Sequence, residues 1–324
     1  MDRIRNIKDL AVLAGVSAGT VSRALAGSEL ISLKTRERIK ALADHHGFRP
    51  NALARNLRIQ RTGAVGVVVP LKSAKGEQLS DPFFIAMLGM VADGLTDRGY
   101  DLLLSRVSAT GEGWLDQFIG SGRVDGVLLI GQQDMHEAID AVASRYRPMV
   151  VWGGHVAGQQ SCVVGSDNVV GGRLAAEHLL ERGCRHIAFV GDPGPLESSQ
   201  RLSGARAAIE AAGMRLTVIP DRETFRATFA GGERPDGIFA CSDMLAVNCI
   251  VGLGNAGLRV PDDVRVVGYD GLGICEQVAP RLSTIDQQVE AGARHLVDLL
   301  LRRIGGEDTE SVVLEPRLEV RDST

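Results

Sequence analysis

From Asn6 to Gly47 the apolar positions recur at helical spacing. Ile7, Leu10, Ala11 and Ala14 share one helical face, and Val21 and Leu25 mark the buried stripe of a second segment. A third run, "RERIKALADHHG", closes at Gly47. Asn6 is placed to cap the first helix, with Asp9 favourable near its N-terminal dipole; Ser17 is placed to cap the second and Thr35 the third. Gly15 fits a left-handed helix end between the first two. Three short helices with a tight turn between the first pair predict a helix-turn-helix. Pro50 then stops the third helix, and Asn51 can cap a short segment carrying Ala52, Leu53, Ala54 and Leu57, too short to be stable alone. Beyond Gly63 the period changes. "AVGVVVP", "YDLLLSR", "VDGVLLIG", "PMVVWGG" and "CVVGSDN" read as strands, with a helix from about Ile85 to Arg98 and another over "VVGGRLAAEHLLERG". "HIAFVGD", "IPDRE", "GIFACSD", "VRVVGYD" and "STIDQ" continue the alternation. Apolar strands alternating with helices predict parallel sheets covered on both faces, and this much chain favours two such lobes with a ligand between them at the strand C-termini.

Composition adds a contrast to this picture. The net charge of −4 conceals a basic head: residues 1–60 hold eleven Lys and Arg against five Asp and Glu, a surplus of +6, so the rest carries −10. A basic head on an acidic body predicts that the head meets a polyanion. No run of eighteen apolar residues occurs, so no membrane span is expected, and the charged N-terminus is unlike a secretion signal. The five cysteines, Cys162, Cys184, Cys241, Cys249 and Cys275, are odd in number and lack metal spacing. Free thiols in the cytoplasm are expected, with no metal and no cofactor.

The segment "AGVSAGTVSRAL" gathers small and hydroxyl side chains where a helix interior disfavours glycine. A helix that enters a major groove explains this: a slim leading end, hydroxyls for phosphate, and a few base-reading side chains. Arg23 can donate to guanine, and Thr20 or Ser22 can meet phosphate or a thymine methyl. The short apolar helix after Pro50, flanked by arginines, suits folding on DNA with a leucine wedge in a minor-groove step. The run "IKDLAVLAGVSAGTVSRAL" followed by "FRPNALARNLR" resembles the head of the lactose-repressor (LacI/GalR) family of transcription regulators. The resemblance implies Thr20, Ser22 and Arg23 on the recognition helix, Ala18 and Gly19 at the two variable base-reading positions, and Leu57 as the hinge wedge. Asn6, Ser17, Lys34, Thr35, Asn51 and Ala54 complete the expected DNA-facing set.

The body, down to "LEPRLEVRDST", also resembles the regulatory core of that family, which looks like a type I periplasmic sugar-binding protein. The implied fold is an all-α helix-turn-helix head (1–49), a hinge helix and linker (50–62), and an α/β core of two parallel-sheet lobes (63–324). By the resemblance the chain crosses between lobes three times, giving an N-lobe of about 63–163 and 290–317 and a C-lobe of about 164–289 and 318–324. The strand ends nominate a cleft: Asp81, Phe83 and Phe84 after the first strand, Trp152 after the fourth, Arg201 at a helix start, Ser242 and Asp243 after "GIFAC", and Asp270 after "VRVVGY". Charged groups for hydroxyls and aromatic faces for a ring suit a sugar, with a purine or other metabolite as the alternative. Arg201 and Asp270 match the effector-binding arginine and aspartate of the family; Ser242 stands where the family usually has Asn, and Asp81 where it often has Asn or Ser. His155 is expected to be a solvated loop residue. "GLGNAG", Gly252 to Gly257, matches the dinucleotide fingerprint in letters, but it closes a helix instead of opening one. The sequence therefore predicts a non-enzymatic, cytoplasmic, dimeric regulator. It would read a pseudo-palindromic DNA operator under control of a small molecule, a sugar-binding transport protein being the remote rival. The chain stops shortly after the last strand without a heptad tail, which favours a dimer over a tetramer.

Overall fold

A computed structural model describes residues 6–48, 61–71, 79–108, 113–133, 135–231 and 234–324. They fall into two compact units, divided between Thr62 and Gly63. In the first, α1 (Ile7–Ala14), α2 (Ala18–Leu25) and α3 (Leu33–His45) close around Leu10, Ala14, Val21 and Ile39, all buried. Asn6 caps α1, accepting from the backbone of Lys8 and Asp9, and Gly15 takes φ +62 at its end. Ser17 caps α2 through the Thr20 N–H. The third cap is Ser32, one turn earlier than the sequence suggested; Thr35 lies inside α3 and its hydroxyl is 2.9 Å from that of Ser32. Ser32 Oγ accepts from the Thr35 N–H at 3.4 Å, so the helix opens at Leu33 and Thr35 becomes its third residue. Asn51, Ala54 and Leu57 lie outside the described residues.

The second unit holds two six-stranded sheets. The first runs β11 (Val312–Leu314), β5 (Cys162–Ser166), β4 (Met149–Trp152), β3 (Gly126–Ile130), β1 (Ala64–Leu71), β2 (Asp101–Ser108), all parallel. The second runs β12 (Arg317–Glu319), β10 (Ser283–Asp286), β9 (Arg265–Asp270), β8 (Gly237–Ala240), β6 (His186–Val190), β7 (Arg215–Ile219), with β12 alone antiparallel. Strands β3, β4, β5 and β8 are buried at every position, which is why they read as unbroken apolar runs. Helix α4 (Pro82–Thr96) and α11 (Val289–Ile304) cover one face of the first sheet, with α5 (Trp114–Gly120) and α6 (His136–Ala143) on the other. In the second lobe α7 (Asn168–Glu181) and α8 (Leu196–Ala211) pack on one face, α9 (Arg222–Ala230) and α10 (Asp243–Asn255) on the other.

Three local differences from the sequence pattern have simple causes. Asp81 caps α4 and Pro82 opens it, so that helix starts ahead of Ile85. "IPDRE" is not a strand: β7 ends at Ile219 and Asp221 caps α9. Edge strand β7 is exposed or half-buried over most of its length, so it lacks an apolar run to announce it. The crossings also shift. Strand β5 stays wholly in the first sheet, so the chain leaves that lobe after Ser166, and the last crossing lies between Leu314 and Arg317. Among the described residues no helix is long and apolar enough to cross a membrane.

Candidate functional site

In each sheet the strand order reverses beside a central strand, β1 against β3 in the first and β6 against β8 in the second. Crevices form beyond the carboxyl ends of strands at such switch points. The two crevices face each other across one cavity of about 890 Å³. Of the core residues nominated from the sequence, Asp81, Phe83, Phe84, Trp152, Arg201, Ser242 and Asp270 line it, and Asp243 does not. His155 is exposed and lies outside it.

Arg201 is the best-anchored of these. Its Nε donates to Asn168 Oδ1 at 2.8 Å and its Nη1 to the Cys241 carbonyl at 2.5 Å. The guanidinium lies 3.7 Å from the centre of the Tyr269 ring. Nη2 reaches Gln287 Oε1 at 3.5 Å, and Nη1 lies 3.9 Å from Asp270 Oδ1. Asp270 accepts from Gln287 Nε2 at 2.7 Å. It ends β9 at φ +131, a backbone conformation that non-glycine residues adopt chiefly where a site demands it. Burial raises its pKa well above the ordinary carboxylate value; the neighbouring Asp243 carboxylate raises it further, while Arg201 pulls it down.

Asp243 is fully buried and does not line the cavity. It accepts from the Leu272 N–H at 2.8 Å and from the Thr284 hydroxyl at 2.5 Å, and burial pushes its pKa up to about 6. It therefore supports the site from behind. Ser242 caps α10 by accepting from the Leu245 N–H at 3.3 Å, which leaves its own hydroxyl proton to donate. Asp81 accepts from the Phe83 N–H at 2.9 Å, and burial raises its pKa. Trp152 is 4% exposed and its ring lies over Gly292 of α11, where a β-carbon would sit 2.1 Å from Cζ3. It is packing first and cavity wall second. Phe83 bridges it to Phe84, with ring centroids 6.2 Å and 5.3 Å away.

Several lining residues were not singled out from the sequence. Asp192, Glu197 and Ser198 follow β6, and Gln287 follows β10. They obey the same strand-end rule as Ser242, so the signal was present in "HIAFVGD" and "STIDQ". Glu197 is half-buried, accepts from the Gln132 N–H at 3.3 Å, and has its pKa raised by burial. Asn168 and Tyr269, which hold Arg201, carry no comparable signal. Cys241 also lines the cavity, but burial pushes its thiol up to about 11, which leaves it inert at neutral pH. Among the described residues no three His, Cys, Asp or Glu side chains gather as a metal site.

On the head, Gly19 and Arg23 lie on the outer surface of α2, and Arg23 Nε donates to the Gly19 carbonyl at 3.2 Å. The Ser17 and Thr20 hydroxyls are 2.9 Å apart, and Ser22 is half-buried. Ala18 is half-buried against the head's core, which makes it less free than the sequence suggested. Lys34 is exposed and Thr35 half-buried beside its cap.

A two-lobed cleft of this kind on a chain that begins with a helix-turn-helix defines a ligand-binding DNA regulator. The model for bacterial regulatory proteins of the lacI family matches residues 6–51, and that for a periplasmic binding protein-like domain matches residues 176–324. The chain is 34% identical to the HTH-type transcriptional regulator CelR of Thermobifida fusca, with 100% of both chains covered. It is 28% identical to the HTH-type transcriptional repressor PurR of Haemophilus influenzae (strain PittEE), covering 98% of each. The solved complex of transcriptional regulator CelR with cellobiose matches at TM-score 0.68 and 32% identity, over 99% of this chain and 100% of that one. A lac repressor dimer bound to operator shares the fold at TM-score 0.83 and 22% identity, with 98% of each chain covered. This chain belongs to the lacI family of bacterial transcription regulators.

Proposed function

We propose that the protein is a cytoplasmic, homodimeric repressor that binds a pseudo-palindromic DNA operator, and that a sugar held between the core lobes controls this binding. The carrying observation is Arg201, fastened over Tyr269 with one edge turned to Gln287 and Asp270 in an interlobe cleft. A guanidinium and a carboxylate on one side with Phe83 and Trp152 on the other offer paired hydroxyl contacts and an apolar ring face. CelR, the relative solved with cellobiose, supports a sugar over other small molecules. Two α2 helices of a dimer would enter successive major grooves, with Arg23 reading bases and Ser17, Thr20, Ser22 and Lys34 on phosphates. Leu57 of each chain would wedge the centre of the site. The control is a coupling free energy between two binding sites, with no chemical step.

The test is thermal unfolding of the full chain against a panel of mono- and disaccharides, sugar phosphates and nucleobases. A ligand that binds the folded state alone raises Tm by mass action, by about 2.7 kcal/mol of stability at a hundredfold excess over Kd. One sugar class should raise Tm, and Arg201→Ala should abolish the rise while leaving operator affinity intact. A rise with a nucleobase and none with any sugar would overturn the proposal.

A further inference from the structure

The groups around Arg201 occupy one end of the cavity. Its lining continues onto residues of α9 and α10, a limb of the same cavity. The combined volume of about 890 Å³ lies near the top of the range of roughly 300–1,000 Å³ for small-molecule sites. One face of each helix contributes to the limb's lining. Arg222, Phe225, Arg226 and Phe229 recur at helical spacing on α9, and Asn248, Gly252 and Asn255 do so on α10. Gly252 belongs to the "GLGNAG" stretch that no dinucleotide site explains. A β-carbon there would lie 2.9 Å from Phe225 Cε1, so a residue that helix propensity disfavours lets the helix approach that ring. Phe225 and Phe229 are packed at a centroid distance of 4.7 Å and largely buried, a small part of each lining the floor, while Arg222, Arg226, Asn248 and Asn255 are exposed along the rim. Asp192 and Asp221 line the same cavity and balance the two arginines, so an anionic ligand would meet carboxylates as well as guanidinium groups. Mixed donors and acceptors over an apolar floor suit a neutral polyol.

We propose that this limb is a second sugar subsite and that the effector is a linear oligosaccharide. One ring sits between Arg201 and Asp270, and the next lies over the Phe225 and Phe229 edges with its hydroxyls met by Arg226 and Asn248. The inference rests on the sugar reading of the cleft. The test is calorimetric titration of the full chain with two length series, glucose–cellobiose–cellotriose and glucose–maltose–maltotriose. In the series that binds, affinity should rise about tenfold or more from one ring to two or three. Asn248→Trp, which fills the limb from an exposed position, should remove that gain and leave one-ring affinity unchanged. Arg226→Ala should reduce the gain without altering Tm of the free protein. Equal affinity at every length, or a loss in Asn248→Trp that is the same for all lengths, would overturn the limb and leave the sugar reading standing. Binding of a sugar from the Tm panel with none in either series would overturn the limb alone, and no Tm rise with any sugar would overturn both.

Discussion

At the scale of single residues the cleft is built around buried charge. Burying an ion pair costs desolvation, which geometry and further hydrogen bonds must offset. Arg201 meets that condition through Asn168, the Cys241 carbonyl and the Tyr269 face. Behind it, Asp243 and Asp270 compete for charge: the Asp243 N–H lies 3.5 Å from Asp270 Oδ2, and each carboxyl is raised by burial first. The pH consequence has a definite sign. Burial pushes the Asp243 carboxyl up from the ordinary 3.8 to about 6 in the folded chain, so between these values the folded chain holds more protons than the unfolded one. Its contribution to stability therefore falls as pH rises from about 4 to about 6 and is level above that. Asp243→Asn removes this slope. Chemical unfolding should find the variant gaining on the wild type by about 1–3 kcal/mol between pH 4 and pH 7. Parallel stability curves for the two proteins would refute the assignment.

At the scale of elements, the position of Arg201 is set by how closely α7 and α8 approach. A β-carbon on Gly172 would lie 1.9 Å from the Arg201 carbonyl oxygen, and one on Gly204 would lie 1.9 Å from the Val169 carbonyl oxygen. Each glycine thus admits the backbone of the other helix. Gly254 differs, since it is exposed with nothing within 4 Å of its added carbon. Helix propensity favours Ala over Gly by about 1 kcal/mol at either position. At Gly172 the opposing overpacking, about 1–3 kcal/mol, wins because the obstacle is backbone. Gly172→Ala should lower stability and weaken sugar binding by displacing Arg201, whereas Gly254→Ala should be neutral or stabilising. Thermal melts with and without ligand check both, and a stabilised Gly172→Ala with normal binding would exclude this account of the helix pair. The sequence pattern announced these helices as elements. Which of their glycines touch backbone became visible through packing alone.

For the whole molecule, the division of charge predicts two kinds of binding in one chain. The head's +6 faces a phosphate polyanion, and counterion release makes such binding steeply salt-dependent. Operator affinity should drop about a thousandfold between 50 and 200 mM salt. Sugar affinity should move by less than about threefold, because the cleft's charges are paired and the ligand is neutral. Fluorescence anisotropy on operator DNA and calorimetry on the sugar separate the two. An operator affinity that ignores salt would remove the head's arginines from phosphate contact.

What the sequence determined by itself is local or periodic. Caps at Asn6 and Ser17, the small residues from Ala14 to Ser22, and the switch of period at Gly63 all follow from short-range chemistry. The nomination of Asp270 rests on a strand end, that of Arg201 on a helix start, and both on a recognisable family pattern. Edge strand β7 stayed hidden because half-exposed residues give no apolar run. Tertiary structure alone decided what lies far apart in the chain: Asn168 and Tyr269 around Arg201, Asp243 behind Asp270, Gly292 beneath Trp152, and the limb lined by α9 and α10. The physical reason is that a strand or cap is written in neighbouring residues, whereas a cavity is the space left where two sheets and their helices meet.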